Sequence, residues 1–106
     1  MWVLKLGKHE AIDLLEAILI IETKDQLSTF FKDLCTPAEL RSLEERWKVC
    51  QLLAKENLSY REIHAITGAS LTTIGRVARF LKEEKYGGYR NILKKLREPQ
   101  FGIRIA

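Results

Sequence analysis

The apolar positions of this 106-residue chain recur mostly at three- and four-residue steps, which predicts an all-α fold of six helical segments. The first runs from about His9 to Glu22. Ile12, Leu15, Leu19 and Glu22 keep helical spacing, and Ile18, Ile20 and Ile21 make the segment apolar nearly all round. Such a helix needs cover on several sides, and its Ile-rich end also satisfies strand propensity. Thr23 and Gln26 form a capping box that starts a second helix through Leu27, Phe30, Phe31 and Leu34. Thr36-Pro37-Ala38-Glu39 places Thr at the N-cap, Pro at the first helical position and Glu at the third. The helix it opens runs to about Glu56. Leu40, Leu43, Trp47, Cys50 and Ala54 form its apolar stripe with Leu53 beside them, and Glu39, Arg41, Glu44, Glu45 and Lys48 cover the other side.

The next segment carries the strongest local signal. Ser59 and Glu62 form an S-x-x-E capping box, and Ile63 and Ile66 follow on one face. Gly68 can end this helix in the left-handed conformation, and Ser70 can cap the next one. Ile74, Val77 and Leu81 then give the second helix a buried stripe, while Thr72, Thr73, Arg76 and Arg79 occupy the opposite side. Two short helices around a glycine turn, over residues 59–82, are the layout of a helix-turn-helix. Short hydroxyls and long cations on its outer face suit base edges and phosphates. Gly87-Gly88 breaks the chain, and a last helix from Tyr89 to about Arg97 places Tyr89, Ile92, Leu93 and Leu96 on one face before Pro99 ends it. The stretches at about 1–8 and 98–106 read as flexible arms of a single domain spanning 1–106.

Charge sharpens this picture. The net charge is +4, but residues 1–58 carry −2 and residues 59–97 carry +6, with nine Lys/Arg against three Asp/Glu. The basic excess therefore coincides with the turn motif and the helix after it, as expected of a nucleic-acid face. A hydrophobic fraction of 46% with 30% charged residues fits a globular chain. The longest apolar run, Ala17–Ile21, is far too short to span a bilayer, and Met1–Leu6 lacks signal-peptide character, so the expected location is cytoplasmic. Cys35 and Cys50 show no metal or disulfide spacing and read as small hydrophobes. No cofactor motif, metal cluster, phosphate loop or nucleophile with a base at plausible spacing is visible, so the chain is not expected to be an enzyme. The wide apolar faces exceed what a chain of this length covers alone, so a two-fold dimer reading two half-sites is expected.

The run Leu34-Cys35-Thr36-Pro37-x-Glu39-x-x-x-Leu43-x-x-Arg46, then Leu53, Ser59-x-Arg61-Glu62-Ile63 and Gly68-Ala69-Ser70-x-x-Thr73-Ile74-x-Arg76-Val77 resembles the tryptophan-repressor superfamily. The likeness is to its branch of small repressor-related bacterial proteins and covers about Ile12 to Leu96. The resemblance implies a six-helix fold and an intertwined homodimer whose fourth and fifth helices read double-stranded DNA. By position it implies that Arg61 reads a guanine, and that Tyr60, His64, Ser70, Leu71, Thr72, Thr73 and Lys82 face DNA. The residues themselves point the same way for Arg61, Thr72, Thr73 and Lys82, and add Arg76 and Arg79. His64 and Leu71 suit packing as well as contact.

The resemblance also implies a corepressor pocket, in which an indole lies between two arginines and a Thr lines the site. Arg46, Arg76 and Thr36 match those positions. The family pocket needs small residues one and four places after the second arginine, where this chain has Val77 and Phe80. These two side chains share a helix face and are expected to fill the volume an indole would use. The chain is thus expected to be a DNA-binding regulator, a repressor, that works without tryptophan. The alternatives are a repressor dependent on tryptophan or another small ligand, and a helix-turn-helix that contacts protein.

Overall fold

The computed structural model describes residues 2–83 and 86–98 and contains, among them, six helices and no strand. The chain divides into two compact units, residues 1–37 and 38–106, taken in turn below. None of the described helices is long and apolar enough to cross a membrane.

In the N-terminal unit α1 spans only Leu14–Leu19, shorter than the expected His9–Glu22. Asp13 sets its start, because its Oδ1 accepts the Glu16 N–H at 2.8 Å. A capping side chain places the preceding residues outside the helix. At the other end, Thr23 is extended, at φ −127° and ψ 157°, to cap the next helix, which forces the chain out of helical geometry after Ile20. Helix α2 spans Lys24–Leu34. Thr23 Oγ1 accepts the Gln26 N–H at 3.1 Å, but the Gln26 side chain turns back to the Glu22 N–H at 3.0 Å, one residue earlier than a reciprocal box would place it. Among the described residues α1 and α2 bury no side chain fully, and Leu19 is 82% exposed.

The C-terminal unit holds the core. Helix α3 covers Pro37–Ala54, α4 Tyr60–Thr67, α5 Leu71–Lys82 and α6 Gly88–Leu96. Val49, Cys50, Leu53, Ile63, Ala69, Ile74, Val77, Ala78, Leu81 and Leu93 form one buried cluster. The α5 stripe is as the sequence predicts. The α3 stripe is rotated: Val49 is fully buried and Leu43 is exposed, because only the last two turns of α3 meet the cluster. Ile66 likewise departs from expectation and is 51% exposed, so Ile63 alone anchors α4. Burial pushes the Cys50 thiol from 9.0 to about 11, consistent with a packing role, while Cys35 is half-buried. Gly87, at φ 73°, turns the chain into α6, where Tyr89 stacks on Trp47 of α3 with ring centres 6.5 Å apart. The last residues, 99–106, and the Pro99 stop lie outside the described residues.

Candidate nucleic-acid interface

The α4–turn–α5 unit is fixed by its own side chains. Ser59 Oγ accepts the Glu62 N–H at 3.1 Å, and Glu62 Oε1 accepts the Ser59 N–H at 3.2 Å, closing the capping box. Gly68 ends α4 at φ 75°, and its N–H reaches the His64 carbonyl at 2.8 Å. Thr67 Oγ1 donates to the Ile63 carbonyl at 2.7 Å and accepts the Ala69 N–H at 3.0 Å. The His64 Nδ1 lies 2.6 Å from the Ala69 carbonyl. A carbonyl only accepts, so Nδ1 carries the proton and Nε2 is the remaining edge. Ser70 caps α5 by accepting the Thr73 N–H at 3.0 Å, and its hydroxyl donates to Thr73 Oγ1 at 3.1 Å. Ala69 is fully buried at the centre of this turn.

The outward positions follow from this frame. Ile74, Val77, Ala78 and Leu81 face the core, which turns Leu71, Thr72, Arg76, Arg79 and Lys82 outward as exposed residues. Tyr60 and Arg61 are exposed in the first turn of α4, and Ser70 is exposed at the turn. Thr73 is half-buried, with its hydroxyl engaged by the cap. His64 is exposed overall while bracing the turn.

The residues matched to the ligand pocket have different surroundings. Val77 belongs to the core and is 1% exposed. Phe80 is half-buried outside that core, and the Arg76 guanidinium carbon stands 4.8 Å from its ring centre. Arg79 lies 5.8 Å from the same ring, and Tyr86 stacks on it at 6.2 Å with planes 8° apart. Arg46 is half-buried on α3, and Thr36 belongs to the N-terminal unit.

Two features escaped the sequence. The first is this aromatic–cation stack: the four-residue step from Arg76 to Phe80 could have flagged half of it. The second is Arg90, whose Nε and Nη2 donate to the carbonyls of Leu81 and Lys82, both at 2.7 Å. It thereby serves the open carbonyls at the end of α5 from a different helix.

Comparison with known proteins agrees with this architecture. The profile of the Trp repressor protein family matches residues 10–97. The uncharacterized protein YerC of Bacillus subtilis (strain 168) is 37% identical over 98 residues, covering 91% of this chain and 90% of that protein. The crystal structure of a TrpR like protein from Eubacterium eligens ATCC 27750 matches with a TM-score of 0.72 at 38% identity, over 78% of this chain and 84% of the other. A Staphylococcus aureus structure matches with a TM-score of 0.73 at 37% identity, over 79% and 82% of the two chains. With a profile covering most of its length and relatives above a third identical, the chain belongs to the Trp repressor protein family.

Proposed function

We propose that the chain is a sequence-specific regulator that binds double-stranded DNA as a homodimer and represses without tryptophan. The observation that carries this is the presentation of α5. A turn locked by side-chain hydrogen bonds holds the helix with Ile74, Val77 and Leu81 buried and with Thr72, Arg76, Arg79 and Lys82 outward. A major groove admits one α-helix, and these are side chains that bond base edges and phosphates. Arg61, exposed in the first turn of α4, is the base reader, since an arginine can bond guanine O6 and N7 together. Tyr60, His64 through Nε2, Ser70, Leu71 and Thr73 complete the surface.

Dimerisation is supported by the bare apolar side chains of the N-terminal unit. Leu15, Leu19 and Ile20 are all exposed in the single chain, and a second copy is their natural cover. Independence from tryptophan is supported by Phe80. Its own ring already lies against the Arg76 guanidinium, where the family places a ligand's aromatic ring.

An unbiased selection from random duplexes, on purified protein with and without tryptophan, tests all three parts. The expected result is one enriched two-fold motif, salt-sensitive binding by a dimer, and no change on adding tryptophan. Absence of salt-sensitive binding to any duplex overturns the DNA reading. A strict tryptophan requirement overturns only the ligand-free part.

A further inference from the structure

The first turn of α6 touches two other helices at once. Tyr89 stacks on Trp47 of α3 with ring centres 6.5 Å apart. The next residue, Arg90, is half-buried and reaches the end of α5. Its Nε donates to the Leu81 carbonyl and its Nη2 to the Lys82 carbonyl, both at 2.7 Å. The last carbonyls of a helix have no partner within it. Here the Glu83 N–H takes the Arg79 carbonyl at 2.9 Å, and the Arg90 fork takes two of those beyond it. One turn further along α6, Leu93 joins the buried cluster with Val49, Leu53 and Leu81, so the residue that holds α5 is itself anchored.

The recognition surface is thereby held at both ends. The Ser70 cap and the His64 bond fix the start of α5. Arg90 fixes its far end, which carries the outward Arg79 and Lys82. Burial of Ile74, Val77 and Leu81 sets the depth of α5 but is non-directional, so a helix can pivot on it. Two bonds from one planar guanidinium set direction as well as distance. We propose that Arg90 is a positioning residue for DNA recognition, acting through the α5 backbone. It sets the pitch of α5 against α3 and α6, and with it the separation of the two recognition helices in the dimer. The inference rests on the reading of the chain as a DNA-binding homodimer.

The test compares the wild type with Arg90→Gln and Arg90→Lys on the selected duplex and on versions with one base pair added or removed between half-sites. Urea unfolding of each variant sets conditions in which it is fully folded. The wild type should lose at least about tenfold on either shifted duplex. In Arg90→Gln that penalty should fall to about threefold or less. Arg90→Lys keeps the charge without the fork and should behave like Arg90→Gln. In the free wild-type protein the Arg90 Nε–H should be protected from solvent exchange. A wild-type spacing profile in both variants, or an affinity loss equal on all duplexes, marks a merely structural role and overturns the proposal. So do a wild type that tolerates the shifted duplexes, a full profile in Arg90→Lys, and an unprotected Nε–H. A wild type that binds no duplex removes the DNA reading and this inference with it, whereas an unchanged profile beside a binding wild type removes Arg90 alone.

Discussion

The Arg76 guanidinium carbon sits 4.8 Å from the centre of the Phe80 ring, one helical turn further along α5. Tyr86 stacks on that ring with its plane 8° away. A flexible cation on the outward face of α5 is thereby given a preferred place. Ordering it in advance lowers the entropy lost on binding.

Phe80→Ala and Phe80→Leu should both weaken specific DNA binding about two- to fivefold, the equivalent of ~0.5–1 kcal/mol for a cation on an aromatic face at an exposed site. Phe80→Tyr keeps the face and should bind as wild type. Fluorescence anisotropy with the selected duplex measures this. Full affinity in Phe80→Leu would show that only the volume of the side chain matters.

Arg61→Ala should lose roughly 1–3 kcal/mol of specific binding and relax the preference at one base pair in each half-site. Arg79→Ala should instead weaken specific and random duplexes alike and reduce the salt slope by about one. Competition titrations at several salt concentrations separate the two. Equal losses on both kinds of duplex for Arg61→Ala would remove it as a base reader.

Two glycines in the motif should respond with opposite signs. Gly68 has φ 75°, and a Cβ there would meet no atom within 4 Å, so Gly68→Ala should cost ~1–2 kcal/mol through backbone strain alone. Gly75 lies inside α5 without a positive φ and with equal space, so Gly75→Ala should stabilise by about 0.5–1 kcal/mol. Urea midpoints of the two variants check the signs.

Cys50 links stability to alkaline pH. Its thiol is pushed up to about 11 in the folded chain from 9.0, so the folded state keeps a proton that the unfolded state releases. That contribution is fully present below pH 9 and is lost as pH rises towards 11. Stability should fall across this window, and Cys50→Val should fall less steeply. A thiol reagent at pH 8 should label Cys35 and spare Cys50 in the folded protein.

What the sequence revealed is what acts over short range. The capping box of Ser59 and Glu62, the glycine stop at Gly68 and the Ser70 cap depend on residues within a few positions, and each stands where its spacing predicts. The α5 stripe was legible because its two sides differ in chemistry. The length of α1 was not: the spacing gives the Thr23 cap of the next helix, but an apolar run of isoleucines says nothing of Asp13 capping four residues after His9. Val49 rather than Leu43 in the core, and Ile66 left exposed, follow from which turns other helices reach. Arg90 on the α5 carbonyls and Tyr86 on Phe80 join residues across the end of α5, where its periodicity no longer applies.

The bonds that lock the turn come from Ser59, Glu62, His64, Thr67 and Ser70, with Thr73 accepting one of them. Arg61, Thr72 and Arg79 take part in none of them. On the proposed reading, Arg61, Thr72 and Arg79 contact DNA without holding the turn, whereas His64, Ser70 and Thr73 do both. By the same DNA reading, substitution at Arg61 or Thr72 can change which operator is preferred while the angle of presentation stays constant. Such a chain can acquire a new target in single steps, without passing through an unfolded intermediate sequence.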